Sequence, residues 1–416
     1  MNRVKINRNI KTGSTFLFFL LYINTLVAQP TSSIIEKVAD NIIENTSYKI
    51  VNKKTKELYS NSHNLPLSPD YKVESPYNQW EYWNGVLAIA MIRLSEVTGD
   101  MKYQQYALNN YKFIFDNLEY FGKQYEANYK WTSFHQYFRL SKLDDCGAMA
   151  AGLCDVWQYD KDIRYMPYLD RAANYILNDE KRLDDSTFVR DFPREMTLWA
   201  DDLYMSVPFL ARMYKITNDF KYLDIAITQI KNFRKYLYNE NNGLYYHCWY
   251  NDNQQNGVAH WGRCNGWVIM AEVELLKLMP EEHPDKKKII EILEDQIIGI
   301  SRHQDYTGMW HQLINRADSY LESSATAMFV YGIATAVNNG WIDPSYASIA
   351  QNGWDGLCKK ITETGEVEDI CVGTGIKDNI RFYYDRPAKL NDIHGLGAVI
   401  LAGSEIYLME KLLKEQ

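Results

Sequence analysis

Three short segments decide the fold: Asp100-Met101-Lys102-Tyr103, Asp162-Ile163-Arg164-Tyr165 and Asp219-Phe220-Lys221-Tyr222. Each sets an Asp before a run with helical spacing, where its carboxylate caps free backbone N–H groups. The apolar residue after each Asp is placed to staple the helix start. The separations are 62 and 57 residues, and one helical hairpin with its loops takes about 60. Outward from these segments, helical patterns run at 29–46, 77–97, 101–120, 141–158, 163–178, 196–214 and 220–238. They continue at 262–279, 285–302, 321–337, 343–360 and 392–413. Repeated hairpins must stack to bury their apolar faces. Six of them use nearly all of residues 29–416 and close into an all-α (α/α)6 barrel. An open solenoid fits less well, because distinct capping repeats are missing. One short strand is expected within Gly243–Tyr250, which is aromatic and follows Asn-Gly. No linker rich in Pro, Gly or Ser divides residues 29–416, so they read as a single domain.

Residues 1–28 read as a signal peptide. Arg3, Lys5, Arg8 and Lys11 form a basic start, Phe16 to Val27 an apolar core, and Ala28 a small residue at the cut. That core is too short to span a bilayer comfortably, so the mature chain is expected to be exported, periplasmic or extracellular, with no membrane segment. Lys and Arg number 45 against 53 Asp and Glu, a net −8. Without the four leader cations the balance is near −12 (41 − 53), which argues against a nucleic-acid or anionic-membrane surface. An anionic substrate is still accommodated if its site is locally basic. The six Cys form no CxxC pair and no zinc-type spacing, and are expected as mostly free, buried thiols. Tyr (32) and Trp (11) are abundant, and such rings offer stacking faces for sugar C–H surfaces together with a polar handle.

The chemistry concentrates in a few stretches. Trp199-Ala200-Asp201-Asp202-Leu203-Tyr204-Met205-Ser206-Val207-Pro208 places two adjacent carboxylates inside the apolar pattern 196–214. Helical neighbours point about 100° apart, so one Asp faces a pocket beside Trp199 while the other caps the helix or bonds a neighbour. If the helix runs through, Pro208 leaves the carbonyl of Tyr204 free. Leu143-Asp144-Asp145-Cys146 is a second acidic pair entering a helix. His247-Cys248-Trp249, Trp261-Gly262-Arg263-Cys264-Asn265-Gly266-Trp267, Gly308-Met309-Trp310-His311-Gln312 and Glu322-Ser323-Ser324 follow. At inner-helix N-termini these residues line one funnel. A carboxyl among apolar walls has the raised pKa that proton donation needs, and Arg263 between two Trp residues is placed to clamp a carboxylate. Each stretch has a plainer reading too. The acidic pairs cap helices, His247 is a structural hydrogen-bonder, Trp310 and His311 are core, and Glu322 buttresses a helix.

Together with Trp83-Asn84-Gly85-Val86-Leu87 and Asn391-Asp392-Ile393-His394-Gly395, these motifs resemble glycoside hydrolase family 105, the unsaturated rhamnogalacturonyl hydrolases, related to the unsaturated glucuronyl hydrolases of family 88. The resemblance runs from about residue 80 to 400. It implies an (α/α)6 barrel that removes a non-reducing-end 4,5-unsaturated uronate from lyase-generated oligosaccharides by hydrating the C4=C5 double bond. It implies no metal and no organic cofactor. Carried over by position, Asp201 matches the general acid/base, and the second acid is Asp144 or Asp145. His247, Trp261, Arg263 and Trp267 match the uronate subsite. Trp83, Trp199, Trp310 and His311 join them as substrate-binding candidates. The motif reads Trp-Gly-Arg-Cys-Asn where Trp-Ala-Arg-Gly-Asn is expected, which alters the shape of that loop. An unsaturated glucuronyl hydrolase acting on ulvan or glycosaminoglycan fragments, and a non-catalytic carbohydrate-binding barrel, are the alternatives; an (α/α)6 epimerase is a weaker third, because it calls for catalytic His pairs that the eight His do not offer.

Overall fold

The computed structural model describes residues 30–415. The leader expected at 1–28 lies outside them. Fourteen helices are found among the described residues: α1 Thr31–Glu44, α2 Tyr82–Thr98, α3 Met101–Glu126, α4 His135–Arg139, α5 Gly147–Tyr159, α6 Tyr165–Asn174 and α7 Val207–Thr217, then α8 Phe220–Leu237, α9 Gly262–Leu278, α10 Lys286–Ser301, α11 Ser323–Asn338, α12 Ala347–Cys358, α13 Ile380–Tyr384 and α14 Ile393–Glu415. Apart from the short α4 and α13, they correspond to the twelve expected patterns.

Six helices form an inner ring. Helix α2 packs on α5, α5 on α7, α7 on α9, α9 on α11, α11 on α14, and α14 returns to α2. The outer helices α3, α6, α8, α10, α12 and α1 each lie on an inner neighbour. Composition explains the layering. Every residue of α11 from Ser323 to Ala336 is buried, as befits a helix enclosed on all sides. Helix α8 buries only a stripe, Tyr222, Leu223, Ala226, Ile227, Gln229, Ile230, Phe233 and Leu237, so its other face meets solvent. Small residues draw the inner ring together: a Cβ on Gly85 would sit 2.2 Å from the carbonyl oxygen of Ala148. No helix among the described residues is long and apolar enough to cross a membrane.

The capping segments behave as read, with one correction. Asp100 and Asp219 accept from the backbone N–H of Lys102 and Lys221. Asp162 does so for Arg164, one turn before α6 begins. The staple position is wrong, however. Met101, Ile163 and Phe220 are 62%, 85% and 49% exposed, whereas Tyr103, Tyr165 and Tyr222 are buried. The anchor is the Tyr three residues on, one turn along the same helical face. All six Cys are free thiols, and all but the half-buried Cys358 are buried.

The helix expected over 196–214 begins only at Val207. Thr197–Trp199 is instead a strand, antiparallel to Cys248–Tyr250 with Trp199 opposite Cys248. A single 3-10 turn, Ala200–Leu203, follows it. Cross-strand pairing therefore overrides helical spacing at this point. Pro208 falls in the first turn of α7, where its missing N–H costs nothing. The remaining strands are short pairs in loops. Ile50–Asn52 lies between Leu58–Tyr59 and Tyr71–Val73, and Gly243–Tyr250 contributes Leu244–Tyr245 as well as Cys248–Tyr250.

Candidate active site

The N-terminal ends of the inner helices open at one mouth, around a cavity of about 280 Å³. Trp83 at the start of α2, Asp144 before α5, Asp201 before α7 and His394 in the first turn of α14 all line it. Trp199, Tyr82, Glu81, Gln136, Lys142, Arg190 and the backbone around Gly373 and Thr374 complete the wall.

Within the 3-10 turn the adjacent residues Asp201 and Asp202 point different ways. Asp201 faces the cavity. Its Oδ2 lies 3.1 Å from Nε2 of the fully buried His247, although the two atoms are off the hydrogen-bond axis and neither has an aligned partner. The far ring nitrogen of His247 is 2.8 Å from the Tyr383 hydroxyl. Trp199 and Trp261 flank the imidazole at 5.5 and 4.7 Å, so its plane is held from three sides. Asp202 turns inward, 1% exposed, and receives Arg190 Nε at 2.7 Å.

Of Asp144 and Asp145, Asp144 faces the cavity. Asp145 is fully buried. It is gripped by Arg139 at 2.9 Å through Nε, by a second guanidinium contact, and by the Ser141 backbone N–H at 2.9 Å. It does not line the cavity. Asp144 does, receiving Arg190 Nη1 and Nη2 at 3.0 and 2.9 Å and Lys142 at 3.0 Å. Burial raises the Asp144 pKa, but Arg190 and Lys142 outweigh it and hold the carboxyl below its usual range. For Asp202 the balance reverses, because burial exceeds the pull of Arg190 and the pKa rises. Burial, reinforced by Asp145, pushes Glu81 up to about 7. Burial also lowers the His394 pKa, against the opposing hydrogen bond to Asp392.

Several candidates lie elsewhere. Arg263 is not a free clamp: its guanidinium holds the carbonyls of Cys371 and, at 2.6 Å, Val372, and stacks over Trp261 at 4.7 Å. It thereby ties down the strand leading to Gly373 and Thr374. Trp261 stands behind His247 rather than in the cavity. Trp267 is buried between Tyr82 and Tyr204. Trp310 is core, donating its indole N–H to the Ile300 carbonyl at 2.9 Å. His311 is buried against the Ser319 carbonyl at 2.5 Å. Glu322 caps α11 through the N–H groups of Ser324 and Ala325 and also receives the Cys371 N–H at 2.8 Å. Among the described residues no three His, Cys, Asp or Glu side chains are grouped as metal ligands would be.

Sequence reading missed Arg190, the hub that bridges Asp144 and Asp202 and stacks over Trp199 at 4.5 Å. It sits in an irregular loop without periodicity, and the only signal was an arginine between two acidic motifs. Lys142 was missed for the same reason, Gln136 because the five-residue α4 is too short to show periodicity, and Glu81 because it stands just outside α2 as its N-cap.

The chain matches the family described as Glycosyl Hydrolase Family 88 over residues 55–410 and belongs to that family. It is a glycoside hydrolase. It is 29% identical over 258 residues to the unsaturated rhamnogalacturonyl hydrolase YesR of Bacillus subtilis, covering 59% of this chain and 72% of that protein. It is 31% identical over 221 residues to an unsaturated 3S-rhamnoglycuronyl hydrolase of Alteromonas sp., covering 51% of this chain and about half (52%) of that protein. The fold is that of a crystal structure described as a possible member of the GH105 family from Salmonella enterica serovar Paratyphi A. That match has a TM-score of 0.74 at 24% identity, and covers 92% of this chain and 94% of that one.

Proposed function

We propose that this chain removes a 4,5-unsaturated uronate from the non-reducing end of lyase-generated oligosaccharides by hydrating its double bond. The observation that carries the reading is Asp201: a cavity-facing carboxylate beside a fully buried imidazole, in a chain of this family. Both curated relatives carry unsaturated uronyl groups in their names. In the proposed step the Asp201 carboxylic acid gives its proton to C4, and positive charge develops at C5 and the ring oxygen. Water adds to C5 and returns a proton to Asp201. The hemiketal opens by breaking the C5–O5 bond. The resulting hemiacetal at C1 then releases the remaining sugar. Asp144, held ionised by Arg190 and Lys142, stabilises the developing charge across the cavity. Trp83 and Trp199 supply the stacking walls. His247 positions the Asp201 carboxylate. Arg263 positions the cavity loop rather than the substrate carboxylate. Export through residues 1–28 would place the enzyme where lyase fragments arise.

Following absorbance and released sugar together tests the reaction type. Hydration requires the C4=C5 absorbance to fall no later than the sugar appears. Sugar released ahead of the loss of absorbance contradicts it and indicates displacement at the anomeric carbon. The glucuronyl reading differs only in the leaving sugar and is tested by the same assay on ulvan and glycosaminoglycan fragments.

A further inference from the structure

The 280 Å³ cavity continues into a larger groove of about 940 Å³, the two sharing Glu81, Trp83 and Gln136. This groove is built outside the helical ring by the chain around Lys53, the strand Tyr71–Val73, the loop before α4 and α4 itself. Its charge opposes that of the protein. Lys53, Lys72 and Lys130 line it, together with Arg139, whose charge is taken up by Asp145, against the single carboxyl group of Glu81, whose pKa is itself pushed up by burial. Lys53 and Lys130 are exposed and have no ion-pair partner among the described residues. Lys72 donates to the Trp131 carbonyl at 2.8 Å and fixes that segment. Trp131 itself is 87% exposed, an aromatic face with no packing role. Three buried polar atoms on the groove residues lack partners: Trp83 Nε1, His135 Nδ1 and Gln136 Oε1. A second groove, on the Arg190 side of the cavity, carries four basic and four acidic side chains and so has no such bias.

We propose that this groove is the subsite for the leaving portion of the oligosaccharide and that it selects an anionic sugar there, one bearing a sulfate ester or a carboxylate. Trp131 is the stacking platform, and Lys53 and Lys130 recognise the anion. The proposal rests on the hydrolase reading, which sets the cavity as the uronate site. A cationic groove on a net-acidic enzyme attracts a negative group, and this one lies beyond the cavity that takes the uronate. The lysines are strongly hydrated point charges on flexible stems, suited to a charge carried on a moving chain rather than to one rigid fork.

The test compares unsaturated disaccharides whose leaving sugar is neutral, sulfated or carboxylated, using the full mature protein and the exposed variants Lys53→Ala/Lys130→Ala and Trp131→Ala. Wild type is expected to favour an anionic leaving sugar by about tenfold in kcat/KM, and the double variant to lose that preference through KM, with turnover of the neutral disaccharide unchanged. The sulfated and carboxylated arms identify which anion is used. Trp131→Ala is expected to raise KM about threefold to tenfold for all three. Equal activity on all three by wild type, or an equal loss on all three in the lysine variant, overturns the proposal. Calorimetric binding of a saturated sulfated disaccharide separates this from failure of the hydrolase reading. Binding that the double variant loses supports the subsite even where no substrate turns over, and absence of binding to wild type overturns it.

Discussion

At the scale of single residues, the account turns on how carboxylates are partnered. Among the described residues the Asp201 carboxylate has one ion-pair contact, His247, so Asp201→Asn is expected to keep the thermal midpoint and cut kcat by about a thousandfold, the size of a lost acid–base group. Kinetics and a melting curve on the same sample check both halves. Arg190 is 10% exposed and serves two carboxylates. Arg190→Leu leaves the buried Asp202 without a counter-ion and Asp144 with Lys142 alone, and is expected to cost about 3–5 kcal/mol in urea denaturation. Glu272 is fully buried in α9 with one long contact, 3.4 Å from the Tyr245 hydroxyl, and burial pushes its pKa up to about 8. Its folded pKa lies above the unfolded value, so the folded state binds the extra proton. Stability is therefore full below the unfolded glutamate pKa and falls as pH rises through about 8. Glu272→Gln is expected to flatten that fall, which denaturation midpoints across this pH range will show. Among the candidate residues, Asp201, Asp144, Trp83 and Trp199 were legible because a polar or aromatic group breaks an inner-helix start. Trp310 and His311 sit at similar breaks and prove to be core, since spacing does not say which way a side chain turns.

At the scale of elements, the helices and most of their starts were legible, and the start of α7 was not. Periodicity marks a buried stripe wherever it occurs, but Thr197–Trp199 carries apolar residues that serve a strand paired with Cys248–Tyr250. That pairing joins segments some fifty residues apart and leaves no local signature. The consequence is functional: because the helix starts at Val207, Asp201 sits in a turn at the mouth rather than on a helix wall. Close approach of elements also positions Asp144. Gly147 opens α5, and a Cβ there would lie 1.6 Å from the Met205 carbonyl oxygen. Gly147→Ala must push α5 away from the chain that carries Asp201. A loss of about 3 kcal/mol is expected, with reduced kcat in the material that still folds. A variant with unchanged stability and turnover would show that the two segments move independently.

At the scale of the molecule, a period near 60 residues was enough to imply six hairpins, and the return of α14 onto α2 closes the ring. A closed ring gathers the starts of alternate helices at one mouth, which is why motifs spread over three hundred residues share a cavity. What the period does not encode is the loops. Residues 50–76 read only as irregular chain, yet Lys53 and Lys72 help to line the groove beside the cavity. Net charge was equally blind, since an excess of eight acids over bases hides a local patch of opposite sign. The central claim is that this barrel hydrates an unsaturated uronyl end. The most direct measurement is the near-ultraviolet absorbance of the C4=C5 uronate, with mature protein added to rhamnogalacturonan, pectin, ulvan and glycosaminoglycan lyase digests. The account requires absorbance to fall on at least one digest with wild type and to persist with Asp201→Asn. Absorbance that persists on every digest with folded wild-type protein, or falls equally with the variant, contradicts it.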